Sequence, residues 1–209
     1  MIKTILFDMD GVLFDDKNIH FESLNKALGK YAISHDLHLS TFHGLQTRKK
    51  LEILSSDFGL PVDLHSEIWT AKQNETIKKL MGLEVDQRLS SVFNSLHESG
   101  YKLGVCSNSI RKTVLTVLSN LGIMKYLDIV ISNDDVRNPK PHPEMYWSAM
   151  SSLDAIPENT LIVEDSPTGL KAARRSGSHV LGVKDPSEVT LENLLNRIDL
   201  IKSDHLGDL

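Results

Sequence analysis

Ile2-Lys3-Thr4-Ile5-Leu6-Phe7-Asp8-Met9-Asp10-Gly11 is the stretch whose reading decides the fold. A short apolar run that does not alternate, cut off by two carboxylates and a glycine, reads as a strand buried on both faces that ends in a polar loop. Four runs of the same kind follow at Lys102–Cys106, Asp128–Ile131, Thr160–Val163 and His179–Val183. Helical spacing separates them: Leu89, Val92, Phe93 and Leu96, then Val114, Leu118 and Leu121, then Met145, Ala149 and Leu153. This alternation predicts an α/β fold, a Rossmann-like parallel sheet with helices on both faces.

Residues 17–81 break the rhythm, with helical periods and no convincing strand. Phe21, Leu24, Leu28 and Tyr31 share one helical face, and Leu51, Leu54 and Phe58 another. The expected organisation is an α/β core of residues 1–16 and 82–209 with an α-helical cap of residues 17–81. The hinges fall at Phe14–Lys17 and Gly82–Asp86.

Composition narrows the functional classes. With 209 residues, 40% hydrophobic and 24% charged, the chain suits a folded globular enzyme rather than a disordered segment. A net charge of -5 and no basic stripe argue against a nucleic-acid partner. Cys106 stands alone, so neither an internal disulfide nor a cysteine-based zinc site can be built, which fits a reducing compartment. No stretch approaches the ~20 apolar residues of a membrane span. The expectation is a cytoplasmic protein without a membrane partner, a monomer or weak homo-oligomer.

The chemistry gathers where the strands end, the side of an open α/β sheet on which ligands bind. Asp8 and Asp10 leave the first strand together, on a turn relaxed by Gly11. Ser107, Asn108 and Ser109 end the second, where a hydroxyl and free N–H groups at a helix start can hold a phosphate oxygen or simply cap the helix at Asn108 or Ser109. Prolines around Lys140, in Asn138-Pro139-Lys140-Pro141-His142-Pro143-Glu144, stiffen the backbone about one ammonium. Glu164, Asp165 and Ser166 end the fourth strand, ahead of Gly169 and the Ala172-Ala173 pair. Hard carboxylate oxygens of this sort suit Mg²⁺.

In this order, the four segments resemble the motifs of the haloacid dehalogenase superfamily, in its phosphatase and β-phosphoglucomutase-like branch with a helical cap inserted after the first motif. The resemblance implies Asp8 as nucleophile and metal ligand, and Asp10 as acid/base with its carbonyl on the metal. It implies Ser107 and Asn108 as phosphate contacts, Lys140 as catalytic and phosphate-binding charge support, Asp165 as a metal ligand, and Glu164 as a direct or water-bridged one. The implied activity is a Mg²⁺-dependent phosphatase acting through an aspartyl phosphate on a small phosphorylated metabolite, a sugar phosphate, with a β-phosphoglucomutase-like mutase as the alternative. Carbon-halogen chemistry would use Asp8 but needs neither Asp10 nor Asp165, and a receiver-type signalling domain would lack the insert. Physically, a carboxylate ~4 Å from a phosphate dianion meets roughly 8 kcal/mol of repulsion at an effective dielectric near 20. Cations must offset it, and Asp10 is expected to have its pKa raised by its neighbours.

For the cap, the resemblance points to His20, Arg48 and Lys72 as substrate contacts, each with a solvated or packing role as its alternative. Asp15-Asp16 and Ser176-Gly177 depart from the usual family pattern. His35, His38, His43 and His65 receive no role, and Trp69, Trp147 and Cys106 read as packing residues.

Overall fold

A computed structural model describes residues 1–15 and 17–207. Asp16 of the predicted hinge, and 208–209 at the end of the predicted core, lie outside the described residues. Five strands form one parallel sheet: β1 (Thr4–Phe7), β2 (Lys102–Cys106), β3 (Ile129–Ile131), β4 (Thr160–Glu164) and β5 (His179–Gly182). Their order is β3-β2-β1-β4-β5, with β1 central. The chain builds outward from β1 through β2 to β3, then returns to β1's other side for β4 and β5. A crevice opens at such a reversal, beyond the carboxyl ends of the strands.

The period of two explains the layers. Ile5 and Phe7, Leu103 and Val105, and Leu161 and Val163 share one face and one apolar cluster with helices α5 (Gln87–Glu98), α6 (Arg111–Asn120) and α9 (Leu191–Gly207). Leu6, Cys106, Ile131 and Ile162 point the other way, onto α7 (Glu144–Ser152) and α8 (Pro167–Arg175). Ala172 and Ala173, both fully buried, let α8 approach the sheet closely. Both faces are covered, which is why the strands read as continuous apolar runs. β3 starts at Ile129, one residue later than predicted; Asp128 before it donates its N–H to Leu103 O at 2.8 Å and accepts from Leu103 N on its carboxylate at 2.8 Å.

Before β2 the chain is helical: α1 (Lys17–Leu28), the single turn α2 (His35–Leu37) running into a wider turn at His38–Phe42, α3 (Thr47–Phe58) and α4 (His65–Leu80). Leu24, Leu28, Phe42, Leu51, Leu54, Leu60 and Ile68 form a separate apolar cluster there. Tyr31, in a tighter turn after α1 ends, packs against this cluster as expected, whereas Phe58 is 51% exposed. Gly59, at φ +71°, stops α3 at Phe58 and reverses the chain, so Leu60 enters the cluster instead.

Candidate active site

Asp8 leaves β1 with its N–H on Val163 O at 2.9 Å, which ties its position to the adjacent strand. The following turn needs Gly11. At φ +82°, a Cβ there would stand 2.2 Å from Asp165 Oδ2, so only glycine lets the β1 and β4 loops close on each other. This approach gathers the carboxylates of Asp8, Glu164 and Asp165, each offering an oxygen, all within 4.8 Å of one another.

Lys140 holds the group together. Its buried ammonium donates to Asp8 Oδ1 at 2.5 Å, Glu164 Oε1 at 2.6 Å and Cys106 O at 2.7 Å. Burial works against that charge, but Asp8 and Glu164 more than offset it and hold the lysine well above its ordinary range. One cation among three carboxylates leaves negative charge in excess. Burial, then Glu164, Asp165 and Asp10, accordingly raise Asp8 well above 3.8 in spite of Lys140. Burial, Glu164 and Asp10 push Asp165 up to about 7. Asp165 Oδ1 is buried without a hydrogen-bond partner. A carboxylate with an orphaned oxygen, gathered with two more carboxylates, is what a small divalent cation would satisfy, so the residues fit a metal.

Asp10 points away from this cluster. Its Oδ1 meets His20 Nε2 at 3.0 Å, and its Oδ2 accepts from Ser109 Oγ at 2.8 Å and Ser107 Oγ at 3.3 Å. Burial alone would raise its pKa, but His20, the Ser109 hydroxyl and Lys72 together hold it down to about 2. This corrects the expectation of a raised value: the neighbours of Asp10 are donors, and those that raise pKa surround Asp8 and Asp165. Lys72 Nζ lies 3.1 Å from His20 Nδ1, so an ammonium, which can only donate, makes Nδ1 the acceptor and leaves the proton on Nε2, toward Asp10.

Neither Asn108 nor Ser109 caps the helix. α6 starts after Ile110, and Arg111 N is taken by Asp134 Oδ2 at 2.8 Å. Asn108 instead brackets the chain: its amide donates to Gly44 O at 3.0 Å and Lys140 O at 3.2 Å, and its oxygen accepts from Lys140 N at 3.0 Å. It fixes the Lys140 backbone and pins a loop of residues 43–46 onto the core. His43 Nε2 comes within 3.7 Å of Asp165 Oδ2 there.

A cleft of about 290 Å³ extends from Asp8 and Lys140 to α3 and α4. His20 and Lys72, two of the three substrate contacts that the resemblance implied, lie buried in its wall. Arg48 reaches only the rim, exposed, its guanidinium 5.7 Å from the Trp69 ring centroid. Lys50, two residues on, is buried in the wall with His38. The period of α3 explains this: Thr47, Lys50, Leu51 and Leu54 form its inward face, and 48 falls outside it. Lys50 was therefore legible from the Leu51/Leu54 spacing, and Ser109 from its place two residues after Ser107. Tyr146, whose hydroxyl reaches Glu164, carries no such signal. Cys106 is a buried strand thiol as expected, and burial pushes it up to about 12.

The profile of the haloacid dehalogenase-like hydrolases matches residues 5–183. The chain belongs to this family. Among curated relatives, a pyrophosphatase PpaX from Anoxybacillus flavithermus is 31% identical over 184 residues, 87% of this chain and 83% of its own. A phosphorylated carbohydrates phosphatase from Thermotoga maritima is 28% identical over 180 residues, 84% of this chain and 82% of its own. The crystal structure of a β-phosphoglucomutase from Clostridium difficile superposes with a TM-score of 0.82 over 95% of this chain and 98% of its own, at 21% identity. The fold is thus that of the haloacid dehalogenase family as seen in β-phosphoglucomutase, and the protein is an enzyme, a haloacid dehalogenase-like hydrolase. Among the described residues, no helix is long and apolar enough to cross a membrane.

Proposed function

We propose that this haloacid dehalogenase-like hydrolase is a Mg²⁺-dependent phosphatase of a small phosphorylated metabolite, a sugar phosphate, with residues 1–16 and 82–209 as catalytic core and 17–81 as cap. The observation that carries the reading is Asp8, held by Lys140 at the mouth of the central strand beside Glu164 and Asp165 and open to the cleft. The name of the Thermotoga maritima relative supports a sugar phosphate.

Asp8, Glu164, Asp165 and the Asp10 carbonyl would hold Mg²⁺, which when bound neutralises charge on the phosphoryl oxygens. Lys140 keeps Asp8 in place and adds positive charge where the dianion arrives. An Asp8 oxygen attacks phosphorus, and its new P–O bond forms as the bond to the sugar oxygen breaks. Ser107 Oγ, on turning its one proton from Asp10 Oδ2, and the Asn108 backbone N–H donate to the phosphoryl group, since the Asn108 side chain is spent on Lys140 and Gly44. Asp10 supplies a proton to the leaving oxygen, then takes one from the water that attacks phosphorus, which frees phosphate and restores Asp8. At rest Asp10 is a carboxylate, so as an acid it takes up a proton when the substrate's negative charge enters beside it. His20 and Lys72 orient Asp10 and meet the substrate from the cap, with Arg48 at the rim.

A screen of phosphorylated metabolites with Mg²⁺ and with chelator, including hexose 1-phosphates with a bisphosphate primer, tests the reading. Mg²⁺-dependent release of free phosphate from a sugar phosphate is expected. Conversion between isomers without release would make the chain a mutase, and turnover undiminished by chelator would remove the metal.

A further inference from the structure

Tyr146 lies in the first turns of α7, fully buried, outside the four strand-end motifs. Its hydroxyl donates to Glu164 Oε1 at 2.6 Å. Lys140 Nζ reaches the same oxygen at 2.6 Å, and that ammonium stands 5.0 Å from the Tyr146 ring centroid. One side chain therefore meets two members of the site, with its hydroxyl on the carboxylate and its ring face beside the ammonium. Packing alone would be served by phenylalanine, which brings no buried hydroxyl in need of a partner.

The other oxygen of Glu164 is differently placed. Oε2 accepts from Asp165 N at 3.2 Å, a long bond to the next residue's own backbone. A Cβ at Gly169 would stand 2.0 Å from either oxygen, so the carboxylate lies flat against α8 with no room to swing that way. We infer that Tyr146 is a positioning residue: with Lys140 it occupies Glu164 Oε1, and so leaves Oε2 as the oxygen that Glu164 presents to a divalent cation. The inference rests on the proposed metal site and deepens it. A neutral hydroxyl is suited to the task because it fixes the carboxylate's orientation without cancelling the charge the cation needs. Facing a carboxylate oxygen, which can only accept, the phenol hydroxyl is the donor of this bond.

The test is Mg²⁺ binding to the metal-free full chain by calorimetry, checked with Mn²⁺ by electron paramagnetic resonance. Tyr146→Phe, which keeps the ring, is expected to raise the Mg²⁺ Kd about tenfold or more, the scale of a lost outer-shell partner. Its melting temperature should stay close to that of the parent, and at saturating Mg²⁺ the KM for a chromogenic phosphate monoester should not change. In a Glu164→Gln background the same substitution should add nothing. A folded Tyr146→Phe that binds Mg²⁺ like the parent overturns the inference, as does an equal further loss in the Glu164→Gln background. A parent that binds no Mg²⁺ overturns the metal reading itself, a different failure from a parent that binds it and a variant that binds it equally well.

Discussion

Lys140 Nζ and Glu164 Oε1 are 2.6 Å apart at the centre of the site, both side chains almost wholly out of water, with Asp8 on the same ammonium. Removing the cation leaves buried carboxylates facing one another. Lys140→Met, close in volume, is expected to cost about 3–5 kcal/mol in denaturant unfolding of the metal-free protein, the usual penalty for breaking a buried pair. It should also abolish turnover.

Gly169 carries the carboxylate of Glu164 directly against its Cα. Gly169→Ala puts a methyl where Glu164 now lies, 2.0 Å from both oxygens, and Glu164 is held in place by Lys140 and Tyr146. Activity should fall at least about tenfold, with a weakened response to Mg²⁺ in a metal titration, since displaced ligands cost that much or more.

His38 gives a pH dependence. It is buried against Phe21, its Nδ1 lacks a partner, and burial, then Lys50 and the nearby histidines, lower it from 6.5 to about 3. The unfolded chain therefore binds a proton that the folded one refuses between those values, and stability is lost as pH falls from 6.5 toward 3. His38→Leu should flatten that part of a melting-temperature profile, while a variant as acid-sensitive as the parent would remove His38 from the account.

Lys50 and Arg48 separate wall from rim. With substrate in the cleft, Lys50→Gln should raise KM about tenfold, the effect of ~1.4 kcal/mol of lost binding, and Arg48→Gln should change it far less. Initial-rate kinetics on the best sugar phosphate decide the ranking, and a reversed order would return Arg48 to the role its family position implied.

Much of this site was legible in the chain because the fold makes it so. Parallel strands covered on both faces leave continuous apolar runs, and the residues that end them stand together beyond the carboxyl edge, so Asp8, Ser107 and Glu164 could be found from where Phe7, Cys106 and Val163 stop. Lys140 could be found because prolines flank it. Tyr146 could not, since its hydroxyl meets Glu164 only after α7 docks beneath β2 and β3, and along the chain it is one more apolar residue beside Met145. The pKa order among the carboxylates was hidden for the same reason. Asp8 and Asp10 are two residues apart, but one faces carboxylates and the other faces His20, Ser107 and Ser109.

In the proposed mechanism Asp8 carries the phosphoryl group. Quenching the enzyme with acid during turnover of a sugar phosphate, then reducing with tritiated borohydride, which turns an aspartyl phosphate into labelled homoserine, and mapping peptides, reads this directly. A substrate-dependent acyl phosphate is expected at position 8 alone, with neither label nor turnover in Asp8→Asn. Steady turnover in that variant, or label confined to another residue, would contradict it.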